Sequence, residues 1–217
     1  MRSRSSREKI VLATFNPGKV REIRRSFRGL PVELLSLRDI RGASEVEEKG
    51  KTFLENARQK SLAYSLLSDH LTLAEDSGLE VDALGGAPGV FSARYSDPGA
   101  TDERNIRKVL RLLKGVPGPE RRARFVCQLV LSRRGCVLKT CRGQVRGIIT
   151  EEKKGESGFG YDPIFFYRPF GRTFAELPPD GKNAVSHRGR ALRKMRAFLL
   201  RCVASAGPAA GKKRRGP

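Results

Sequence analysis

Apolar and polar positions in the first hundred or so residues follow two spacings. Short runs of β-branched and other apolar residues are typical of buried strands, and they occupy residues 9–14, 31–37 and 71–74. Apolar residues at helical spacing predict amphipathic helices, and they occur at residues 19–27, 52–66 and 101–113. Strands that alternate with helices in this way are typical of an α/β protein.

The second half of the chain has several strands in succession. Residues 124–131, 137–142 and 144–149 have the pattern of antiparallel strands, with Gly143 as a break between the last two. A final helix is predicted from 186 to 203. The two halves together predict a mixed β-sheet with flanking helices rather than a purely parallel sheet.

Composition excludes several classes of protein. The chain has 217 residues, of which 38% are hydrophobic, and this is enough for one domain with a buried core. No apolar run approaches the roughly 20 residues that a membrane-spanning helix needs. The 4 cysteines include no C-x-x-C pair, which argues against a disulfide scaffold or a cysteine zinc site. We therefore expect a cytoplasmic protein.

The charge is strongly basic and uneven. Lys and Arg number 44 against 23 Asp and Glu, a net charge of +21, and 12 of these charges lie within residues 1–9 and 189–217. We expect a basic extension at 1–8, a folded domain at 9–203 and a basic disordered tail at 204–217. A basic chain suggests an anionic partner, which could be nucleic acid, an anionic membrane or a phosphorylated small molecule.

A strand, a turn and a helix start follow one another at residues 14–19. Free N–H groups and the positive end of the helix dipole make such a helix start suitable for phosphate. Thr14 and Asn16 add polar side chains and Lys19 adds a positive charge. The segment is not a Walker A loop, because its glycine spacing is absent.

Carboxylates form a second group of candidate residues. Glu75 and Asp76 precede Ser77 and Gly78, and we expect them at the end of a strand, where α/β proteins place their sites. Adjacent side chains of an extended segment point to opposite faces, so at most one of the two carboxylates faces a given cleft. A carboxylate there suits a hard divalent cation, and the acidic pair at 47–48 is a further candidate.

Two later segments add candidates for base and phosphate contacts. Phe159 and Tyr161 lie in a glycine-rich loop, where they could stack on a nucleobase. His187 and Arg188 fall in the first turn of the last helix, after a capping Ser186. Basic residues at this position oppose the helix dipole, which suggests an anion or a hydrogen-bond acceptor nearby.

These segments occur together in an order that is typical of one family. The blocks, including the flanking Phe53-Leu54-Glu55-Asn56-Ala57, Gly85-Gly86-Ala87-Pro88-Gly89 and Ser92-Ala93-Arg94-Tyr95, closely resemble the Ham1-like non-canonical purine nucleoside triphosphate pyrophosphatases. The resemblance runs from about residue 9 to about residue 200. It implies a homodimeric α/β enzyme with two lobes around a central substrate cleft, which hydrolyses ITP, dITP and XTP to the monophosphate and pyrophosphate with Mg2+.

The resemblance also implies roles for individual residues. Asp76 matches the catalytic proton acceptor, and Glu47 and Asp76 match the metal-binding carboxylates. The positions that match substrate contacts are Thr14, Phe15, Asn16, Pro17, Gly18, Lys19, Ser77, Phe159, Gly160, Tyr161, Asp162, Lys182, His187 and Arg188. Phe15 departs from the family pattern, which often has a small residue there, and is expected to narrow the phosphate loop.

The chemistry of the candidates agrees with this reading. Selecting a 6-oxopurine over adenine needs a hydrogen-bond donor, and either Arg188 or a protonated His187 could supply it. A 6-amino group would leave such a buried donor unpaired, a mismatch of about 1–3 kcal/mol. The 2-amino group of GTP must be rejected as well, by a residue that the pattern does not identify.

Two alternatives remain open at this stage. A Maf-like nucleotide pyrophosphatase would act on pyrimidine or modified nucleotides, and a panel of substrates separates it from the first reading. The net charge also suggests a nucleic-acid-binding protein, although the chain has no recognised nucleic-acid motif and its charge is mostly terminal. An enzyme whose basic tail, residues 207–217, binds polyanions weakly would combine both readings.

Overall fold

The computed structural model describes residues 7–205, which form one mixed sheet with flanking helices. The strands are β1 (Glu8–Ala13), β2 (Val32–Ser36), β3 (Leu71–Val81), β4 (Arg122–Arg133), β5 (Cys136–Ile149), β6 (Phe165–Tyr167) and β7 (Arg172–Thr173). The helices are α1 (Pro17–Ser26), α2 (Phe53–Ser65), α3 (Asp102–Leu112), α4 (Pro179–Val185) and α5 (His187–Ser205). Most of the expected N-terminal extension and of the basic tail lies outside the described residues.

The sheet has seven strands in the order β2-β1-β3-β4-β5-β6-β7. β1 is parallel to both β2 and β3, whereas every pairing from β3 to β7 is antiparallel. The parallel part contains the helical connections of the first half of the chain, and the antiparallel part contains the successive strands of the second half. The mixed sheet that the sequence predicts is therefore confirmed.

Side-chain caps explain where several helices begin. Asn16 caps α1 through Lys19 N, and Thr101 caps α3 through Arg104 N. The predicted capping box of α2 is present, since Thr52 and Glu55 each accept from the backbone of the other. The short helix α4 was not predicted, because it holds too few residues to show a helical period.

Two glycines that look like strand breaks lie inside long strands. β3 runs through Gly78 and pairs with β4 along its whole length, so Glu75 and Asp76 lie in mid-strand and not at its end as predicted. β5 likewise continues through Gly143. Another segment packs closely against each of these glycines. A Cβ added at Gly78 would lie 2.7 Å from Gly89 O, and one added at Gly143 would lie 2.7 Å from Ala191 N.

The described residues form three apolar clusters that pack on the sheet. The smallest contains Val11, Ala13, Leu37, Tyr64 and Ala74, and the other two lie along opposite halves of β3. In the first of these two, α1 and α5 pack on β1 and on the half of β3 that contains Leu71 and Leu73. In the second, α3 and residues 161–177 pack on the other half of β3, at Leu79 and Val81. Residues 75–78 of β3 lie between these halves, and the two-lobed arrangement around a cleft stays a prediction. Within residues 7–205, no helix is long and apolar enough to cross a membrane.

Candidate active site

The N-terminus of α1 opens toward the middle of β3. β1 pairs with β3 only as far as Ala74, so the edge of β3 beyond Ala74 has no β1 partner. Thr14 Oγ1 accepts from Asn16 N at 3.2 Å, and Asn16 Oδ1 accepts from Lys19 N at 3.1 Å. These bonds hold the turn in shape and place the Lys19 ammonium 3.5 Å from Glu75 Oε1.

Glu75 and Asp76 face opposite sides of β3, as the alternation of strand side chains requires. Glu75 contacts Lys19, Ser77 and Arg188, whereas Asp76 contacts residues of α2. Burial alone would raise the pKa of Glu75, but the positive charges of Arg188 and Lys19 hold it well below its usual range. Glu75 is therefore a permanent anion, and it balances the basic residues of the cleft.

The guanidinium of Arg188 is fixed by three partners. Nε and Nη2 donate to Glu75 at 2.8–3.0 Å, Nη2 also donates to Ser77 Oγ at 3.0 Å, and Nη1 donates to Glu22. Among the described residues these bonds use four of the five N–H groups, which leaves one on Nη1. The anions that the sequence suggested for this helix start are thus two carboxylates of the protein.

Lys182 is the second buried cation of the cleft. Its Nζ donates to Glu22 Oε1 at 2.8 Å and to Asp162 Oδ2. Burial raises the pKa of Asp162, although the adjacent Lys182 opposes this shift. Burial also acts to raise the pKa of Glu22, but Arg188 and Lys182 together bring it below its ordinary value. Glu22 therefore joins the two cations, a role that no local sequence pattern indicated.

Phe159 lies over these groups. Its ring centroid is 4.8 Å from Lys182 Nζ and 5.2 Å from Arg188 Cζ. Gly18 makes room for the ring, because a Cβ there would lie 2.8 Å from Phe159 Cδ1. Two backbone N–H groups hold the loop around Phe159. Phe159 N donates to Asp162 Oδ2 at 2.9 Å, and Gly160 N donates to Asp102 Oδ2 at 2.7 Å.

The cleft that these groups surround has a volume of about 90 Å3. It brings together ten of the fourteen residues that the sequence marked for substrate contacts, whereas Thr14, Phe15, Pro17 and Gly18 are outside its lining. Its lining includes Asn16, Lys19, Ser77, Phe159, Gly160, Tyr161, Asp162, Lys182, His187 and Arg188, and also Gly78, Ser92, Asp102, Asn105 and Phe125, which sequence reasoning missed. Phe15 is not in this lining and is 43% exposed, and its effect on the phosphate loop stays a prediction.

His187 is not the protonated donor that the sequence allowed. Its ring is buried and stacks on Phe125, with centroids 4.6 Å apart. Burial, with the nearby charge of Arg188, lowers its pKa well below the usual value, so the ring is neutral at pH 7. Nδ1 has no hydrogen-bond partner within the described part of the chain.

On the other side of β3, Asp76 lies in a small polar cluster with α2. Asn56 Nδ2 donates to Asp76 Oδ2 at 3.1 Å, and Lys60 Nζ is 3.7 Å from Asp76 Oδ1. Lys60 also donates to Glu48 Oε1 at 2.6 Å. Burial raises the pKa of Asp76, against the opposing charge of Lys60, and the charge of Glu48 adds to the rise.

The two loop carboxylates Glu47 and Glu48 lie differently, and the metal role that the resemblance implies for Glu47 stays a prediction. The Glu47 side chain is 75% exposed and pairs with Lys49 at 2.9 Å. The adjacent Glu48 faces inward instead and shares Lys60 with Asp76. Consecutive residues of an extended loop face opposite ways, and the acidic pair alone did not show which one faces Asp76.

Comparison with known proteins places this geometry in a family. Residues 10–198 match the model of the Ham1 family. A dITP/XTP pyrophosphatase of Geobacter sulfurreducens is 50% identical over 191 residues, 88% of this chain and 96% of the relative. One from Desulforamulus reducens is 46% identical over 193 residues, 89% of this chain and 96% of the relative.

Solved structures agree with the sequence comparisons. A HAM1 protein from Coxiella burnetii has a TM-score of 0.82 at 40% identity, over 89% of this chain and 99% of its own. The Ham1 protein of Staphylococcus aureus has a TM-score of 0.80 at 39% identity, over 89% of this chain and 98% of its own. Since the family model, the relatives and the fold agree over nearly the whole described chain, this protein belongs to the Ham1 family.

Proposed function

We propose that this protein is a nucleoside triphosphate pyrophosphatase that hydrolyses non-canonical purine nucleotides such as dITP, ITP and XTP to the monophosphate and pyrophosphate. The observation that carries the proposal is one cleft in which Lys19 at the start of α1 lies together with the ring of Phe159 and the fixed guanidinium of Arg188. The helix start suits a phosphate chain, and the ring and the guanidinium suit a base. The names of the relatives, dITP/XTP pyrophosphatase, support the substrate class.

The base end of the substrate is assigned to Phe159 and Arg188. Phe159 offers an aromatic face next to two cations, and stacking on a base is worth about 1–3 kcal/mol. We assign the remaining Nη1 N–H of Arg188 as the donor for a 6-oxo group; the neutral His187 ring, which lines the same cleft, keeps one N–H of its own. The carboxylates of Glu75 and Glu22 fix the guanidinium, so an adenine 6-amino group would face a donor that cannot turn away.

The residues around Asp76 fit a divalent metal. Two carboxylates, those of Asp76 and Glu48, flank the single ammonium of Lys60, and carboxylate oxygens are the ligands that Mg2+ prefers. The described residues contain no group of three or more His, Cys, Asp or Glu that could hold a metal. We therefore assign Mg2+ to Asp76 and Glu48 together with substrate phosphates, a common arrangement for this ion. When bound, it would neutralise charge on the phosphate oxygens.

Asp76 is assigned the role of proton acceptor. Asp76 is a carboxylate beside the proposed metal position, which suits a general base. Asn56 holds one oxygen, Oδ2, and Oδ1, which lies 3.7 Å from Lys60 Nζ, would take a proton from the attacking water. Lys19 and Lys182 would then stabilise the charge that develops on the phosphates.

The substitution Asp76→Asn tests this assignment. We expect turnover of dITP to fall by roughly 10²–10⁴-fold while the fold is retained and dITP still binds, because the cations of the cleft remain. Pyrophosphate release gives turnover, and isothermal titration gives binding. Asp82→Asn, at a half-exposed residue beside Arg122, is the matched control and should keep full activity. Full activity of the Asp76→Asn protein would remove Asp76 from the mechanism.

A further inference from the structure

A strongly basic groove lies between β5 and α5, outside the cleft. It has a volume of about 630 Å3, and we call it the α5 groove. Its lining consists of Arg142, Gly143, Gln144, Arg190, Arg193 and Lys194. The lining therefore consists of four cationic residues, one glutamine and one glycine, with no carboxylate among them.

The cations of the α5 groove are held in place by backbone carbonyls. Lys194 Nζ donates to Arg142 O at 2.7 Å, and Arg190 Nη1 donates to Gln144 O at 3.0 Å. At both carbonyls, β5 pairs with β4 along one edge, and its other edge has no strand partner within the described residues. β6 pairs with β5 only at 148–149. Gly143 lets α5 approach β5 this closely. The groove is thus a built feature and not a set of loose side chains.

The charges of the α5 groove are not neutralised within the described residues. Arg142, Arg190, Arg193 and Lys194 take part in no salt bridge there, and their bonds go to carbonyl and amide oxygens. By contrast, the basic groove on α3 includes Asp97 in its lining, and its Arg107 pairs with Glu103 at 3.1 Å. Uncompensated charge in a concave surface raises the local concentration of anions.

We propose that the α5 groove binds the phosphate backbone of nucleic acid without sequence preference. The lining has no aromatic side chain for base stacking, so the contacts would be to phosphates. A lipid surface is a poorer partner, because membrane-binding faces combine basic residues with large apolar ones. In the sequence, four more basic residues occur at 212–215.

The test measures binding of the full chain to a fluorescein-labelled single-stranded DNA 20-mer by anisotropy across a salt series. Each phosphate contact contributes about −0.7 to the slope of log K against log salt. The double substitution Arg193→Gln and Lys194→Gln should therefore reduce the slope by about 1.4. At about 0.1 M salt this corresponds to roughly 25-fold weaker binding. Turnover of dITP should not change.

Two controls separate the groove from net charge. Arg107→Gln with Arg111→Gln removes the same charge from α3 and should change binding by less than about threefold, since those contacts lie outside the α5 groove. The charge-keeping pair Arg193→Lys and Lys194→Arg should retain binding. The proposal is overturned if wild-type protein fails to bind the 20-mer, or if both neutral double variants lose affinity equally. Binding to phosphatidylserine vesicles but not to the 20-mer would also overturn it.

Discussion

Glu75→Gln removes the carboxylate that holds Arg188 in the cleft while keeping the shape of the side chain. Both residues are almost completely buried, at 1% and 2% exposure. Removing one partner of a buried ion pair costs about 3–5 kcal/mol, because the other charge stays buried without compensation. Arg188 keeps Glu22, so we expect the lower end, a loss of about 3 kcal/mol in the free energy of unfolding at pH 7.

Urea unfolding followed by circular dichroism measures this loss. The pKa of Glu75 is lowered in the folded protein, so its contribution is fully present above the unfolded pKa of about 4.3 and declines as the pH falls toward the folded value. The difference between wild type and variant should therefore narrow below about pH 4. Glu33→Gln, at a half-exposed pair with Lys9, is the control and should have little effect. A loss under about 1 kcal/mol at pH 7 would refute the reasoning.

Two further predictions each compare a substitution with the same substitution at a control residue of the same type. Glu48→Gln should reduce the Mg2+-dependent turnover of dITP strongly, whereas Glu47→Gln should leave turnover near the wild-type value. The opposite result would assign the metal to Glu47 instead of Glu48. Gly143→Ala should lower the free energy of unfolding by about 1–3 kcal/mol, since a Cβ there meets the backbone of α5. Gly118→Ala, with open space around it, should not, and equal effects of the two would contradict the packing argument.

Much of the fold could be predicted because its signals are local. The capping box at Thr52 and the cap at Thr101 fix helix starts within a few residues of sequence. The lengths of β3 and β5 could not be predicted, because a glycine inside a strand pattern has the same local signature as a turn. What distinguishes Gly78 and Gly143 is a neighbour that packs on them from far along the chain.

In the candidate site, too, contacts between residues far apart in the sequence could not be predicted. Local patterns marked Lys19, Phe159 and Arg188, and the resemblance added others such as Lys182. Part of the cleft lining was missed, namely Gly78, Ser92, Asp102, Asn105 and Phe125. Glu22, however, acts through Lys182 and Arg188, which follow it by 160 and 166 residues. The inward position of Glu48 depends on Lys60 of α2. Partners that lie so far apart in the sequence cannot be identified from local patterns. The homodimer stays a prediction.

Pyrophosphate release by the wild-type protein from ITP, dITP, XTP, GTP, ATP and dTTP, each with and without Mg2+, is the most direct test of the proposed activity. We predict rapid, Mg2+-dependent release from the first three nucleotides. Release from ATP should be weaker by orders of magnitude, because Arg188 presents a fixed donor to the 6-position. Strong hydrolysis of dTTP with weak hydrolysis of ITP would contradict the proposed activity and favour a Maf-like pyrophosphatase.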